Sequence, residues 1–173
     1  PDAAYRRFWY GGKLTRGEVL LWNQRNRNAG YRGGSFRHAW SQLVSRDLFD
    51  KHPEYFSLNN GQRTTRQLCT THPAVARVAA ETLMADMDRS QSWIFPSGPN
   101  DGGGLCQCDS CRDLDTPDYL EPSSGQPNCS DRILDFANRV AGLTCRKHPD
   151  RLISFLVYSE YSRVPRQVEH VHP

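Results

Sequence analysis

Two groups of residues lying close together in the sequence are equipped for chemistry. Asn100-Asp101 stands just past the apolar run Ser92-Trp93-Ile94-Phe95, and Gly102-Gly103-Gly104 follows it. Cys106, Cys108 and Cys111 come within the next few positions. A carboxylate beside an amide at the end of a strand can move a proton or hold a hydroxyl group. The glycines let backbone or a ligand approach closely, although Asn, Asp and Gly also make ordinary turns. Cys-x-Cys-x-x-Cys puts three soft ligands on one tight loop, and zinc completes its tetrahedron with a fourth, at about 2.3 Å for sulfur. A disulfide and unpaired thiols are the other readings of the same residues. A metal knuckle here would anchor the loop that carries Asp101. The glycine run is not a phosphate loop, because no Gly-Lys-Ser/Thr ends it and it does not open a helix directly.

Further polar residues sit at the ends of other apolar runs. His38 and Trp40 close the run at 35–40, and Tyr158, Glu160 and Tyr161 stand at or beyond the end of the run at 152–158. Glu160 is the carboxylate most comparable to Asp101 in position, although a solvated loop Glu is the plainer reading. His38 and Trp40 read equally well as core packing with a satisfied histidine. Cys129 and Cys145 lack ligand spacing, and Cys145, near a helix end, reads as a buried or half-buried thiol.

The elements that must position these residues alternate. Residues 5–10 form an aromatic, strand-like run closed by Gly11-Gly12. Thr15 and Glu18 have capping-box spacing, so a helix is expected to about Asn28, with Val19, Leu20 and Trp22 facing the core and Gly30 at its end. Gly33-Gly34 makes a turn, and a short strand is expected at 35–40. A capped helical turn follows at 47–52. Asn60-Gly61 signals a hairpin, which places a side hairpin at about 54–69. Pro73 suits a helix first turn, and Val75, Val78, Ala79, Leu83 and Met87 fall on one face. Residues 92–98 read as a buried parallel strand. Residues 112–129, rich in Pro, Ser, Asp and Gly, form a loop excursion. Ser130 is expected to cap a helix that presents Ile133, Phe136, Ala137, Val140, Ala141 and Thr144 and ends at His148-Pro149. Residues 152–158 are the clearest strand, and the polar tail reads as the start of another unit.

Strands alternating with helices imply an α/β fold of parallel βαβ units. Unusual polar residues follow strands, as on the catalytic face of a (β/α)8 TIM barrel. A full barrel takes roughly 250 residues, whereas this chain has 173. The expectation is therefore a single partial barrel segment over residues 1–173, with helices outside, completed by the remainder of a parent chain.

Bulk composition excludes several classes. Hydrophobic residues make up 37% and aromatic residues 10%, with four Trp, which argues against disorder. The 22 basic and 19 acidic groups give a net charge of +3 without a basic stripe, so nucleic acid is not implied. Arg25-Asn26-Arg27 is the nearest thing to a basic patch. No segment approaches the roughly 20 apolar residues of a membrane span. Pro1 without Met reads as a mature form, an excised domain or a fragment, which leaves the compartment open, a secreted or periplasmic one included.

Several strings together resemble a known family. They are Arg6-Arg7-Phe8-Trp9-Tyr10-Gly11, His52-Pro53-Glu54-Tyr55-Phe56, Gln67-Leu68-Cys69, and Pro99-Asn100-Asp101-Gly102-Gly103-Gly104 with its cysteines. The chain resembles the bacterial domain of unknown function 4838 family, which looks glycoside-hydrolase-like. Locally it is similar to the zinc-binding β-galactosidases of glycoside hydrolase family 42. Those carry an Asn-Glu pair at the end of the fourth barrel strand, then a Cys-x-Cys-x-x-Cys cluster, with an upstream Cys completing the zinc site. This resemblance implies that Cys69 is the upstream ligand beside Cys106, Cys108 and Cys111, and that the cofactor is a structural zinc ion with no organic group. It implies Asp101 as general acid, with the family's nucleophile on a later strand that this chain does not reach; within the chain, Glu160 is the candidate partner carboxylate by position. Asn100, His38, Trp40 and Tyr158 would hold an oligo- or polysaccharide, Trp40 as a platform for a sugar face. Asp101 departs from the Glu of that pattern and is one methylene shorter. The expected function is hydrolysis of a glycosidic bond. The alternative is a non-catalytic carbohydrate-binding or structural barrel with a structural zinc. A zinc hydrolase is disfavoured, because a four-Cys site leaves no position for water.

Overall fold

The structure is a computed structural model and describes residues 36–122 and 125–172. The strand expected at 5–10, the capped helix at 15–28 and the turn at Gly33-Gly34 lie outside the described residues. In chain order the elements are α1 (Trp40–Leu43), β1 (Phe56–Asn59), β2 (Gln62–Leu68), α2 (Pro73–Arg89), β3 (Ile94–Pro96), α3 (Asp109–Arg112), β4 (Thr116–Leu120), β5 (Pro127–Asn128), α4 (Ser130–Thr144) and β6 (Leu152–Ser154). Single 3-10 turns occur at Arg46–Leu48, Pro53–Tyr55 and Ser159–Tyr161.

The fold is mixed α/β around a short parallel pair. Ile94, Phe95 and Pro96 of β3 lie opposite Leu152, Ile153 and Ser154 of β6, in parallel. His38 bridges Gly98 in the same sense, so three segments run side by side with α2 and α4 in the connections. Residues 35–40 were expected to be a strand, yet of the described positions only His38 bridges. Trp40 begins α1 instead. The Gly98 carbonyl accepts from both Ala39 N–H (2.9 Å) and Trp40 N–H (3.2 Å), which caps the helix and stops the ladder. A β-carbon at Gly98 would lie 3.1 Å from the Arg37 carbonyl oxygen, so this crossing is close. The last strand is also shorter than expected. Its pairing ends at Ser154, and Val157 is 61% exposed.

α2 begins as its sequence suggests, with Pro73 in the first turn and the His72 ring accepting from Ala74 N–H at 3.3 Å. It buries Val75, Ala76, Ala79, Ala80, Leu83 and Met87 at helical spacing. The three alanines allow close packing on α4, which buries Ile133, Phe136 and Val140. Trp40 meets Phe136 edge-on, with ring centroids 5.4 Å apart. Such a pair adds about 0.5–1.5 kcal/mol to the burial of both rings. Ser130 is not the cap of α4. It is the first helical residue, and Asn128 Oδ1 accepts from its hydroxyl at 2.8 Å.

Asn60 and Gly61 have φ of 49° and 78°, the two positive angles of a type I′ turn, and they close the β1–β2 hairpin. Within 112–129, expected as plain loop, β4 and β5 form a small antiparallel pair. The tail does not leave the domain as expected. Asp131, fully buried in the first turn of α4, accepts from the backbone N–H groups of Arg166, Gln167 and Val168. Asn138 holds the tail further along through the His170 carbonyl and His172 N–H. Among the described residues, no helix is long and apolar enough to cross a membrane.

Candidate functional site

Cys69 follows the last residue of β2 and is tied back to the hairpin stem by its N–H, which donates to the Tyr55 carbonyl at 2.9 Å. The loop holding Cys106 and Cys108 docks on the same hairpin, since Gln107 N–H donates to the Leu58 carbonyl at 2.7 Å. Cys108 caps the single turn of α3 and places Cys111 inward. The four sulfurs of Cys69, Cys106, Cys108 and Cys111 lie within 4.8 Å of one another. Cys69 Sγ stands 3.7 Å from Cys108 Sγ and 3.9 Å from Cys111 Sγ. A zinc tetrahedron with 2.3 Å bonds has edges of about 3.8 Å. A disulfide needs about 2.05 Å, and all six cysteines are free. The disulfide reading is thereby overturned, and the four cysteines together can hold a metal ion.

The surroundings suit thiolates. Leu58 N–H donates to Cys106 Sγ at 3.3 Å, and the Thr71 hydroxyl lies 3.2 Å from Cys111 Sγ. Arg63 Nη1 sits 3.9 Å from Cys106 Sγ, held there by the Phe56 carbonyl at 2.7 Å. Such outer donors fix the ligands and spread the charge of a thiolate set. Four thiolates at this spacing repel one another. Hydrogen bonding with Cys106 and Cys111 drives the Cys69 thiol up, whereas bonds from Cys106, Cys69 and Thr71 drive Cys111 down. A divalent cation would resolve the conflict by taking the place of the protons.

The metal loop leads back to the glycine run, which is anchored from the hairpin. Gln67 is fully buried, and its amide reads three backbone groups. Its Nε2 donates to the carbonyls of Asn100 (2.8 Å) and Gly102 (2.9 Å), and its Oε1 accepts from Asn100 N–H (3.0 Å). The Asn100 side chain is likewise committed to scaffold. Its Oδ1 accepts from Ser41 N–H at 2.9 Å and its Nδ2 donates to the Arg66 carbonyl at 2.8 Å. The glycines serve a side chain of the protein itself. Gly104 has φ of 92°, and a β-carbon there would meet Arg66 Cδ at 2.9 Å. The Arg66 stem thus lies along the loop where larger residues would not let it.

Asp101 is held at the surface, with 81% of its side chain exposed. Its Oδ1 accepts from the Tyr158 hydroxyl at 2.9 Å and from Gly102 N–H at 2.9 Å. His38 Nε2 lies 3.6 Å from the same oxygen and 3.4 Å from the Tyr158 hydroxyl. His38 Nδ1 sits 2.6 Å from the Pro99 carbonyl, so that nitrogen carries a proton, and Nε2 faces Asp101 as a donor only when the ring is charged. The Tyr158 bond, the Gly102 amide and then the His38 ring hold the Asp101 carboxyl below the usual carboxylate range. A general acid needs a raised value, and here the slight burial of the carboxyl is outweighed by these three contacts. Trp40 departs from its expected role. It is fully buried, its Nε1 donates to the Ser97 carbonyl at 2.8 Å, and it offers no face to a sugar. Glu160 does not join the Asp101 cluster. Ser159 has φ of 52°, and its hydroxyl donates to Glu160 Oε2 at 2.7 Å. Glu160 Oε1 lies 3.7 Å from where a Gly103 β-carbon would stand.

The structure brings together Asp101, His38 and Tyr158, and separately the four cysteines, all of them residues named from the sequence. Sequence reasoning misses Gln67, Arg66 and Arg63, whose partners lie on loops far along the chain. It also misses the buried pair Arg132–Asp115, with Nε and Oδ1 2.9 Å apart, beside the Cys129 thiol. Burial pushes the Asp115 carboxyl up to about 6 against the pull of Arg132. The only sequence signal for this pair was an Arg at the start of an otherwise amphipathic helix. A family model described as Domain of unknown function (DUF4838) matches residues 1–172. No curated protein and no solved structure matches the chain.

Proposed function

The chain belongs to the Domain of unknown function (DUF4838) family, and on that footing we propose that it is a zinc-clamped segment of a carbohydrate-active (β/α)-barrel. The observation that carries the reading is the meeting of His38, Asp101 and Tyr158 just past parallel segments, on a loop tied down by four cysteines. The order His38 segment, β3, β6, with α2 and α4 as crossovers, is how successive barrel strands run. Active groups of barrels gather at the carboxyl ends of the strands. Cys69, Cys106, Cys108 and Cys111 would hold zinc, since thiolate sets select it. The ion supplies the charge that lets the sulfurs lose their protons.

An ionised Asp101 accepts hydrogen bonds from sugar hydroxyls, and Tyr158 and His38 stand beside it. A depressed pKa opposes the general-acid role, which needs a proton at working pH. Hydrolysis would also require a second carboxylate about 5–9.5 Å away, a position that the rest of a barrel would supply. The depressed pKa of Asp101 and its exposure favour a second reading, binding of the saccharide without cleavage.

Asp101→Asn is expected to weaken glycoside affinity about 10-fold or more, the worth of one charged hydrogen bond, with an unchanged melting temperature. The contribution of Asp101 to binding should stay flat above about pH 5, because a carboxylate held below its ordinary value is ionised there. Calorimetric titration over a panel of oligosaccharides measures both, and product chromatography separates cleavage from binding. Unaltered affinity in the variant, or binding that needs a protonated carboxyl, contradicts the assignment.

A further inference from the structure

Behind the glycine loop lies a cavity of about 260 Å³, walled by the metal loop, the end of β1 and the start of α4. His38, Asp101 and Tyr158 are not among its lining residues, whereas Glu160 is. Its floor is polar and its charges are paired, although Arg132 Nε and Asp115 Oδ1 meet without a well-formed hydrogen bond. The Arg132 guanidinium is 4% exposed and is paired with Asp115 through Nε (2.9 Å) and Nη2 (3.1 Å). The same guanidinium donates to Cys129 Sγ at 3.0 Å and to the Cys106 carbonyl. The buried charges of the floor are paired with each other, and the remaining lining charges, Arg112 and Glu160, are one of each sign.

The walls keep spare hydrogen-bonding capacity of both kinds. Glu160 has one oxygen taken by Ser159 and the other without a hydrogen-bond partner among the described residues. Asn59 spends both amide hydrogens, on Ser57 Oγ (3.0 Å) and the Gly104 carbonyl (2.9 Å), and keeps its carbonyl oxygen. Gln107 spends its carbonyl oxygen on Asn60 N–H (3.1 Å) and keeps its amide hydrogens. Arg112 lies on the same wall with no acceptor for its guanidinium among the described residues. Two acceptors and two donors around a small space suit hydroxyl groups, each of which gives and takes. Glu160 is aimed there by a strained residue. The left-handed φ of Ser159 costs energy and persists because Glu160 is held on both sides, by Ser159 Oγ and by its carbonyl, which accepts from Cys129 N–H at 2.7 Å. The volume falls just under that of drug-sized pockets, which begin near 300 Å³, so it fits one ring.

We propose that this cavity is a subsite for a single neutral pyranose-sized sugar unit, with Glu160 and Asn59 accepting from its hydroxyls and Gln107 and Arg112 donating. The proposal rests on the carbohydrate reading above and places Glu160 as a binding residue apart from Asp101. Titration with D-glucose, D-galactose, D-xylose and D-glucuronate tests it, with zinc content and melting temperature checked for every variant. At least one neutral monosaccharide should bind saturably, and glucuronate more weakly. Glu160→Gln and Gln107→Ala should each weaken that binding 5-fold or more. Neutral-sugar binding that ignores both variants overturns the subsite, and so does the absence of saturable monosaccharide binding. If oligosaccharides still bind in either case, the reading at Asp101 stands and only the cavity is wrong. If no saccharide of any length binds, the carbohydrate reading fails as well.

Discussion

Cys111→Ser should lower the thermal midpoint by more than about 10 °C and release the loop over residues 102–115. Structural zinc contributes about 10–16 kcal/mol to folding in small metal domains at neutral pH. Even half of that moves the midpoint of a chain this size by roughly 10 °C or more, at about 2–4 °C per kcal/mol. The reason lies in what else holds the loop. Cys69, Cys106 and Cys111 form their own small cluster, with only Leu58 and Cys108 packed against it. Among the described residues, Gln107–Leu58 is the backbone–backbone bond from the knuckle to the hairpin, beside side-chain ties from Asn59 to Gly104, Gln107 to Asn60 and Arg132 to Cys106. Without the metal, four sulfurs and their donors remain partly buried with little apolar packing to keep them together. A strong chelator should reproduce the effect on the wild type, and readdition of zinc should reverse it. Cys145→Ser is the control. That thiol is half-buried, its contact to His172 is 3.8 Å long, and a change of less than about 1 kcal/mol is expected. A Cys111→Ser midpoint close to the wild type would mean that the knuckle folds without metal.

Asp131→Ala should cost about 3–5 kcal/mol in denaturant unfolding, the penalty for breaking a buried charged network by removing one member. Its carboxylate has no exposed surface and accepts from three successive backbone N–H groups, at 3.0 Å from Arg166, 2.7 Å from Gln167 and 2.8 Å from Val168. The Thr116 hydroxyl adds a longer contact at 3.4 Å. The site lies in the first turn of α4, where the helix dipole favours a negative group. Alanine removes every acceptor at once and leaves the tail amides unpaired. Asp131→Asn retains one oxygen and should cost about half as much. Hydrogen exchange at residues 166–168 reads the local effect, because those amides should exchange at the rate of a frayed tail in the alanine variant. Retained protection there would show that the tail is held by something other than this carboxylate.

The parts of the site that were legible are those written in local sequence. Cys106, Cys108 and Cys111 lie on one loop, so their spacing alone brings the sulfurs together, and Asn60-Gly61 fixes a turn by its own backbone preference. The fourth thiol, Cys69, needed the resemblance, because nothing in residues 69–73 announces its distance from Cys111. The environment of Asp101 was not legible. Its neighbour Tyr158 is 57 positions away, and that hydroxyl is the main cause of the depressed pKa. Trp40 misled because an aromatic next to a histidine resembles a platform. Its spacing to Leu43 already put both on one helical face, and both are buried. The apolar run at 152–158 showed a strand but not its length, since apolar character says nothing of where pairing stops. Glu160 lines the cavity beside Arg132 and Gln107, and the left-handed angle of the preceding Ser159 is one that a serine gives no warning of.

The central claim is that one metal ion, held by four cysteines, fixes the loop that carries Asp101. X-ray absorption at the zinc edge of the purified protein, with elemental analysis of the same sample, tests it most directly. One zinc per chain with a first shell of four sulfurs at about 2.3 Å is the predicted result. A chain without stoichiometric metal, or a first shell containing nitrogen or oxygen, would contradict it.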